Sequence, residues 1–166
     1  MTKKAKSFAG LIALLLFILV LFCVNLSCAA APSSSGDTAA CEQALFDSVN
    51  ALRQSNSKAP LSRNAYIDDL CRKHAQYMAS QNRVSDDNFN SRGILIRGNV
   101  SGISTCDENV MRSSYLPCNG PHMANAWFRS TKHQTTMLNS AYTISGIGIV
   151  IDTSGGIWVC QMFAGP

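Results

Sequence analysis

The sequence has no excess of charge that would point to a partner of the opposite sign. Its 166 residues include 14 Lys and Arg and 10 Asp and Glu, for a formal net charge of +4. Lys3, Lys4 and Lys6 supply three of the positive charges, and no acidic residue precedes Asp37. Without that first segment, eleven basic residues face ten acidic ones. No basic face of the kind that binds nucleic acid is therefore expected, and no acidic substrate is indicated.

The cysteines lack the C-x-x-C spacing that is typical of zinc knuckles and thioredoxin-like redox sites. Cys23 and Cys28 fall in or beside an N-terminal apolar run. The remaining five are Cys41, Cys71, Cys106, Cys118 and Cys160. Most of these should pair in an oxidising compartment, and because five is odd, one is left over. Spacing does not fix the pairing. A bond between Cys106 and Cys118 is one hypothesis.

The N-terminus has the pattern of a secretory signal. Lysines precede an uncharged, leucine-rich run from Phe8 to Val24, and small residues follow up to Ala31. These are the charged region, apolar region and cleavage site of an export signal. We expect a signal peptide over residues 1–30, a flexible linker over residues 31–40, and a secreted, extracellular protein with no stable membrane span after cleavage. Because the apolar run is long, an uncleaved signal anchor is the alternative.

Hydrophobic periodicity predicts helices first and a β-hairpin last. Helices are predicted over about 39–55 and 64–82 and from 121 onward, with a short helical turn over 133–138. Alternating isoleucines at 147, 149 and 151, followed by turn residues and a returning strand to Phe163, predict the hairpin. The stretch from about Ser85 to Leu116 is predicted to be irregular. This order indicates an α+β domain with helices packed on an antiparallel sheet.

Several segments, in this order, resemble the CAP superfamily (cysteine-rich secretory proteins, antigen 5, plant pathogenesis-related class 1) in its shorter, bacterial-like form. Glu108-Asn109-Val110 resembles the "G-E-N" signature, and Trp127 to His133 resembles the "W-x-x-S-x-x-H" stretch. Ser85 to Arg92 resembles a loop that usually carries a histidine, then Phe and Arg, and Lys73 to Ala79 resembles the second helix. The resemblance places a CAP (SCP) domain over residues 41–164.

The resemblance implies a three-layer α-β-α sandwich with a central antiparallel sheet. It also implies a central cleft where many members gather two histidines and two acids. Glu108 and His133 match two of these four positions. Asp86 stands where the first histidine is expected, and Ser130 stands near the place of the second acid. Together with Asn109, these residues are the candidates for the cleft.

The chemistry of Glu108 and His133 bears on whether the cleft binds a ligand, holds a metal or catalyses a reaction. A carboxylate in a cleft must be paired or solvated, and a histidine within hydrogen-bond reach would hold it ionised while its own pKa rises. Such a pair can be structural or can serve as acid and base. With Asp86 it offers three metal ligands at most, so zinc is disfavoured and we expect no cofactor. Ser130 and His133 share a helix face, but the sequence shows no orienting group or oxyanion hole for nucleophilic catalysis.

These considerations favour a non-enzymatic binding module for a sterol, a fatty acid or a protein partner. The alternatives are a metal-assisted hydrolase or protease that uses Glu108 and His133, and a surface component linked through the left-over cysteine. A monomer is expected otherwise. His74 and both tryptophans are expected to belong to the core. Asn99, in an Asn-Val-Ser sequon, is a glycosylation acceptor if the host is eukaryotic.

Overall fold

A computed structural model of the chain describes residues 35–114 and 117–166. The signal predicted over residues 1–30 and the first part of the predicted linker lie outside these residues. The helices are α1 Ser35–Ser55, α2 Ala65–Gln81, α3 Phe89–Asn99, α4 Gly120–Phe128 and α5 Thr131–Leu138. The strands are β1 Ser62–Arg63, β2 Thr105–Ser113, β3 Ile144–Ile151 and β4 Ile157–Gly165.

The four strands form one sheet between two layers of helices. Their order is β1-β3-β4-β2, with β1 parallel to β3 and the other neighbours antiparallel. One apolar cluster joins α1, α4 and α5 to one face and includes Leu45, Trp127 and Phe163. A second joins α2 and α3 to the other face and includes Ile67 and Trp158. The predicted three-layer sandwich is confirmed, except that the short β1 makes the sheet mixed.

The strongest sequence patterns correspond to the observed elements. Asn64 caps the start of α2, since its side chain accepts a hydrogen bond from the Ile67 amide, and the C-cap residue Asn82 is in the left-handed conformation (φ 46°). The predicted hairpin is β3 and β4, which pair from Ile151↔Ile157 outward. Every residue of β4 is buried because helices cover both faces of the sheet.

Two sequence predictions about boundaries are wrong. The stretch 85–116 was predicted to be irregular, but it contains helix α3 and strand β2. Helix α3 buries only Arg92, Gly93 and Ile96 and so has almost no apolar stripe, while β2 is an edge strand with polar residues on it. The first helix was predicted to begin at about residue 39, whereas α1 begins at Ser35.

The sheet and α2 approach each other at two glycines of β3. A Cβ on Gly146 would collide with the backbone nitrogen of Asp68, and one on Gly148 would collide with the backbone nitrogen of Arg72. Only residues without a side chain fit under a helix backbone at that separation. This close packing fixes the layer that carries α2 and the buried His74 relative to the sheet.

The disulfide in the described residues joins Cys41 of α1 to Cys118. The hypothesis of a Cys106–Cys118 bond is therefore wrong, and Cys71, Cys106 and Cys160 are free thiols. The bond ties the segment before α4 to the first helix across 77 residues of sequence. Among residues 35–114 and 117–166, no helix has the length and apolarity to cross a membrane.

Candidate functional site

A cleft of about 420 Å³ opens at the β2 edge of the sheet. Strand β2 supplies its floor, the segment that leads into α3 supplies one wall, and the start of α5 supplies the other. The lining residues are Val84, Ser85, Asp86, Phe89, Asp107, Glu108, Val110, Lys132 and His133. Ligand sites in proteins typically have volumes of about 300–1,000 Å³, so this cleft has the size of a small-molecule site.

Three of the predicted residues, Asp86, Glu108 and His133, meet in this cleft. They come from different elements: Asp86 precedes α3, Glu108 lies on β2, and His133 lies in the first turn of α5. Asp86 is exposed at the rim and His133 is half-buried, whereas Glu108 is only 7% exposed. The cleft therefore has an accessible histidine and an enclosed carboxylate.

The partner of Glu108 is Arg92 rather than the histidine that the sequence suggested. Arg92 Nη2 donates to Glu108 Oε1 at 2.6 Å and to Oε2 at 2.7 Å. Burial raises the pKa of the Glu108 carboxyl, and the Arg92 guanidinium opposes that rise. The Cys160 thiol adds a third, longer contact at 3.7 Å to Oε2. Glu108 is thus one half of a buried ion pair beneath the cleft.

Arg92 also holds His74. Its Nη1 donates to the Asp87 carbonyl at 2.7 Å and lies 3.0 Å from His74 Nδ1. Because a guanidinium has no acceptor, Nδ1 must accept, and the proton belongs on Nε2, which lies 2.8 Å from the Ser85 carbonyl oxygen. Burial, and secondly the charge of Arg92, lower the pKa of His74. The imidazole is therefore neutral.

Sequence reasoning missed this network. It placed His74 in the core, which is correct since the residue is 4% exposed, but it gave Arg92 no role beyond the family loop. Hydrophobic periodicity carries no signal for a buried arginine. The available signal was the resemblance itself, since the loop that it matches carries Phe and then Arg, here Phe89 and Arg92.

His133 remains the titratable imidazole that faces the cleft. Burial, and secondly the charge of Lys132, lower its pKa, so it is neutral at pH 7. This is opposite to the rise that an ion pair with Glu108 would cause. Its ring lies near the Trp127 indole, with 6.4 Å between centroids. A neutral imidazole can accept and donate one hydrogen bond each, which suits a hydroxyl or carboxyl ligand.

The other two candidates do not line the cleft. Asn109 points to the opposite face of β2 from Glu108 and is fully buried, and its Nδ2 donates to the His133 carbonyl at 3.1 Å. It is a positioning residue that anchors the start of α5 to the sheet. Ser130 is the residue before α5 and makes no side-chain capping bond. Asn99, of the glycosylation sequon, is an exposed residue at the end of α3.

The side chains of the cleft do not fit a zinc ion. Zinc sites use three or four nitrogen, sulfur or oxygen ligands. Within the described parts of the chain, no three His, Cys, Asp or Glu side chains are grouped so as to hold a metal. Both oxygens of Glu108 already accept hydrogen bonds from Arg92, so Glu108 is not a free second ligand beside His133.

Comparison with known proteins identifies the kind of domain. The profile of the CAP family, the cysteine-rich secretory protein family, matches residues 46–162. The Bacillus subtilis (strain 168) protein "Uncharacterized protein YkwD" is 28% identical over 137 residues, 81% of this chain and 50% of that protein. This chain thus spans about half the length of that relative.

Solved structures show the same fold. An extracellular protein containing a SCP domain from Bacillus anthracis superposes with a TM-score of 0.67 at 22% identity, over 82% of this chain and 45% of that one. An outer surface protein from Borrelia burgdorferi gives 0.66 at 14% identity, over 77% of this chain and 94% of its own. The three-layer sandwich is thus the fold of an SCP domain. The chain belongs to the CAP family, the cysteine-rich secretory proteins, which is an extracellular type of protein family.

Proposed function

We propose that this protein is a secreted, non-enzymatic binding module that takes an amphipathic small molecule, a sterol or a fatty acid, into the cleft at the β2 edge. The observation that carries the proposal is the buried ion pair at the floor of a cleft of about 420 Å³, in which Arg92 Nη2 donates to both oxygens of Glu108. A carboxylate held in this way serves as a wall of the cleft, and it is not available as a base.

The lining combines the two kinds of surface that an amphipathic ligand needs. Val84, Phe89 and Val110 supply apolar contacts, while Lys132 and His133 supply polar ones. Val84 is 41% exposed although it is a large apolar side chain, so covering it with a ligand is favourable. The Lys132 ammonium suits a fatty-acid carboxylate, and the neutral His133 suits a sterol hydroxyl.

The extracellular setting rests on two lines of support. The N-terminal residues have the composition of an export signal, and similar structures are named as an extracellular protein and an outer surface protein. In this proposal the protein acts as a monomer outside the cell and carries no metal. If the ligand is not a lipid, we propose that it is a protein partner that covers the same cleft.

Binding of tritiated cholesterol and tritiated palmitate to the purified protein tests the proposal. We expect saturable binding of at least one of them. Val84→Trp fills the cleft and should weaken that binding about tenfold or more, because a large side chain occupies the ligand's place. Ile94→Trp is the matched control, since Ile94 is a 63% exposed apolar residue of α3 that does not line the cleft.

Two results would count against the lipid form of the proposal. One is the absence of saturable binding to both probes, which leaves only the protein-partner form. The other is equal weakening by Val84→Trp and Ile94→Trp, which would place the ligand outside the cleft.

A further inference from the structure

Two of the free cysteines lie together in the core. Cys71 of α2 and Cys160 of β4 are both 0% exposed and belong to the same apolar cluster between α2, α3 and the sheet. The third free cysteine, Cys106, is half-buried on β2. The pair sits directly beneath the cleft, because the Cys160 Sγ is also 3.7 Å from Glu108 Oε2.

The backbone around Gly148 brings the two cysteines to one spot. Cys160 is the cross-strand partner of Gly148, so their Cα atoms are about 4.5–5.5 Å apart and their side-chain positions share a face. A Cβ on Gly148 would collide with the carbonyl carbon of Cys71, so that face is the one against which α2 packs. The Cys160 side chain therefore points at the helix turn that carries Cys71.

The Cys71 thiol also affects the Cys160 thiol. Burial raises the pKa of Cys160, and the side chain of Cys71 raises it further through a hydrogen bond and through charge repulsion. Both effects weaken with distance, so they agree with the close approach of Cys71 to Cys160 that follows from the backbone around Gly148. A disulfide needs Cα atoms about 4.4–6.8 Å apart. Helix α2 packs directly on Gly148, the cross-strand neighbour of Cys160, so Cys71 and Cys160 can approach to such a distance.

We propose that Cys71 and Cys160 form a second intramolecular disulfide when the chain folds in an oxidising compartment. With the Cys41–Cys118 bond, this pairs four of the five cysteines that follow Cys28. Cys106 is then the left-over thiol, and burial raises its pKa, which keeps it poorly reactive toward other chains. The protein is expected to remain a monomer.

The oxidant is a small disulfide such as oxidised glutathione. One cysteine thiolate attacks a glutathione sulfur, which releases one glutathione thiolate and leaves a mixed disulfide. The thiolate of the second cysteine then attacks the protein sulfur and releases the other glutathione. The two protein thiols lose two electrons and two protons, and the glutathione disulfide is reduced to two thiols. Because both cysteines are fully buried in the folded state, this exchange takes place before the core closes.

Oxidation also changes the floor of the cleft. The Cys160 thiol is a donor to Glu108 in the reduced protein, and a disulfide sulfur has no hydrogen to donate. Glu108 is then held by Arg92 alone, while α2 is fixed covalently to β4. This inference does not depend on which ligand the cleft binds.

Peptide mapping of the full chain tests it. The protein is refolded in a mixture of reduced and oxidised glutathione, alkylated without reduction, and digested with trypsin. Cys71 and Cys160 fall in separate peptides, 64–72 and 133–166, and Cys106 and Cys118 fall in 98–112 and 113–129. We expect a linked species with the summed mass of peptides 64–72 and 133–166 less two hydrogens, together with alkylated 98–112. Reduction should abolish the linked species.

The bond from peptide 113–129 to the peptide that contains Cys41 is the internal control for oxidation. If that bond forms while 64–72 and 133–166 are both fully alkylated, the proposal is wrong. A link from 98–112 to either peptide would also overturn it. Cys106→Ser should leave the Cys71–Cys160 link intact, whereas Cys71→Ser should remove it and leave Cys41–Cys118 in place.

Discussion

Arg92 organises the floor of the cleft through its two terminal nitrogens. One is shared between the Asp87 carbonyl and His74 Nδ1, and the other holds both oxygens of Glu108. A charge this deeply buried is tolerated only because its partner is also charged and hydrogen-bonded to it. The residue thus joins α2, α3 and β2 at one point.

Removing Arg92 should therefore be strongly destabilising. Arg92→Met leaves Glu108 as a buried carboxylate without its partner, and we expect a loss of about 3–5 kcal/mol in the free energy of unfolding. Urea denaturation measures it. Arg97→Met, at an exposed position of the same helix, should change stability by less than about 0.5 kcal/mol. The combined Arg92→Met and Glu108→Gln variant should be more stable than Arg92→Met alone, and an additive loss would contradict the ion pair's role.

His74 should make the fold sensitive to mild acid. Its pKa is below the ordinary 6.5, so the unfolded chain takes up a proton on this residue at a higher pH than the folded protein does. Stability therefore falls as the pH drops below about 6.5, by at most about 1.4 kcal/mol per pH unit from this group. The groups that face it are Arg92, which lowers the pKa, and Asp86 and Asp87, which raise it.

Urea midpoints between about pH 7 and pH 5 check this pH dependence. His74→Gln should lose less stability over that range than the native chain, because it removes the group whose proton affinity changes on folding. Parallel plots of urea midpoint against pH for the native chain and His74→Gln would contradict a lower pKa of His74 in the folded state than in the unfolded state.

At the scale of elements, the predictable parts were those whose burial is regular. Helix α2 and the closing hairpin have clear apolar periods, and both formed where the sequence placed them. Helix α3 and strand β2 were missed because they lie beside the cleft, where Arg92 and Glu108 take core positions that apolar residues usually fill. The residues that build the site are therefore the ones that weaken the local pattern.

Two glycines should respond in opposite ways to alanine. Gly148→Ala places a methyl group against the α2 backbone and should destabilise the protein by about 1–3 kcal/mol or more. Gly98→Ala, in helix α3 with nothing beyond the adjoining helix backbone within 4 Å of the new Cβ, should stabilise it by about 0.5–1 kcal/mol. Thermal unfolding of both variants gives the comparison. Equal effects would mean that α2 does not pack on β3 as closely as described.

At the scale of the whole molecule, the cleft exists because the sheet ends at β2. The two helix layers cover both faces of β4, but neither closes over the free edge, where the α3 side and α5 leave a gap. The family resemblance predicted a shared cleft for Glu108, His133 and Asp86, and all three line this gap. It was not enough to pair them, because pairing depends on side-chain contacts from Arg92 that span three elements.

The central claim is that ligands occupy this gap beside a neutral His133. The most direct measurement is the NMR signal of the histidine rings during titration with palmitate or cholesterol. We predict that the His133 resonances shift and saturate with ligand while those of the exposed His122 stay in place. Saturable binding that leaves the His133 resonances unmoved would contradict the account.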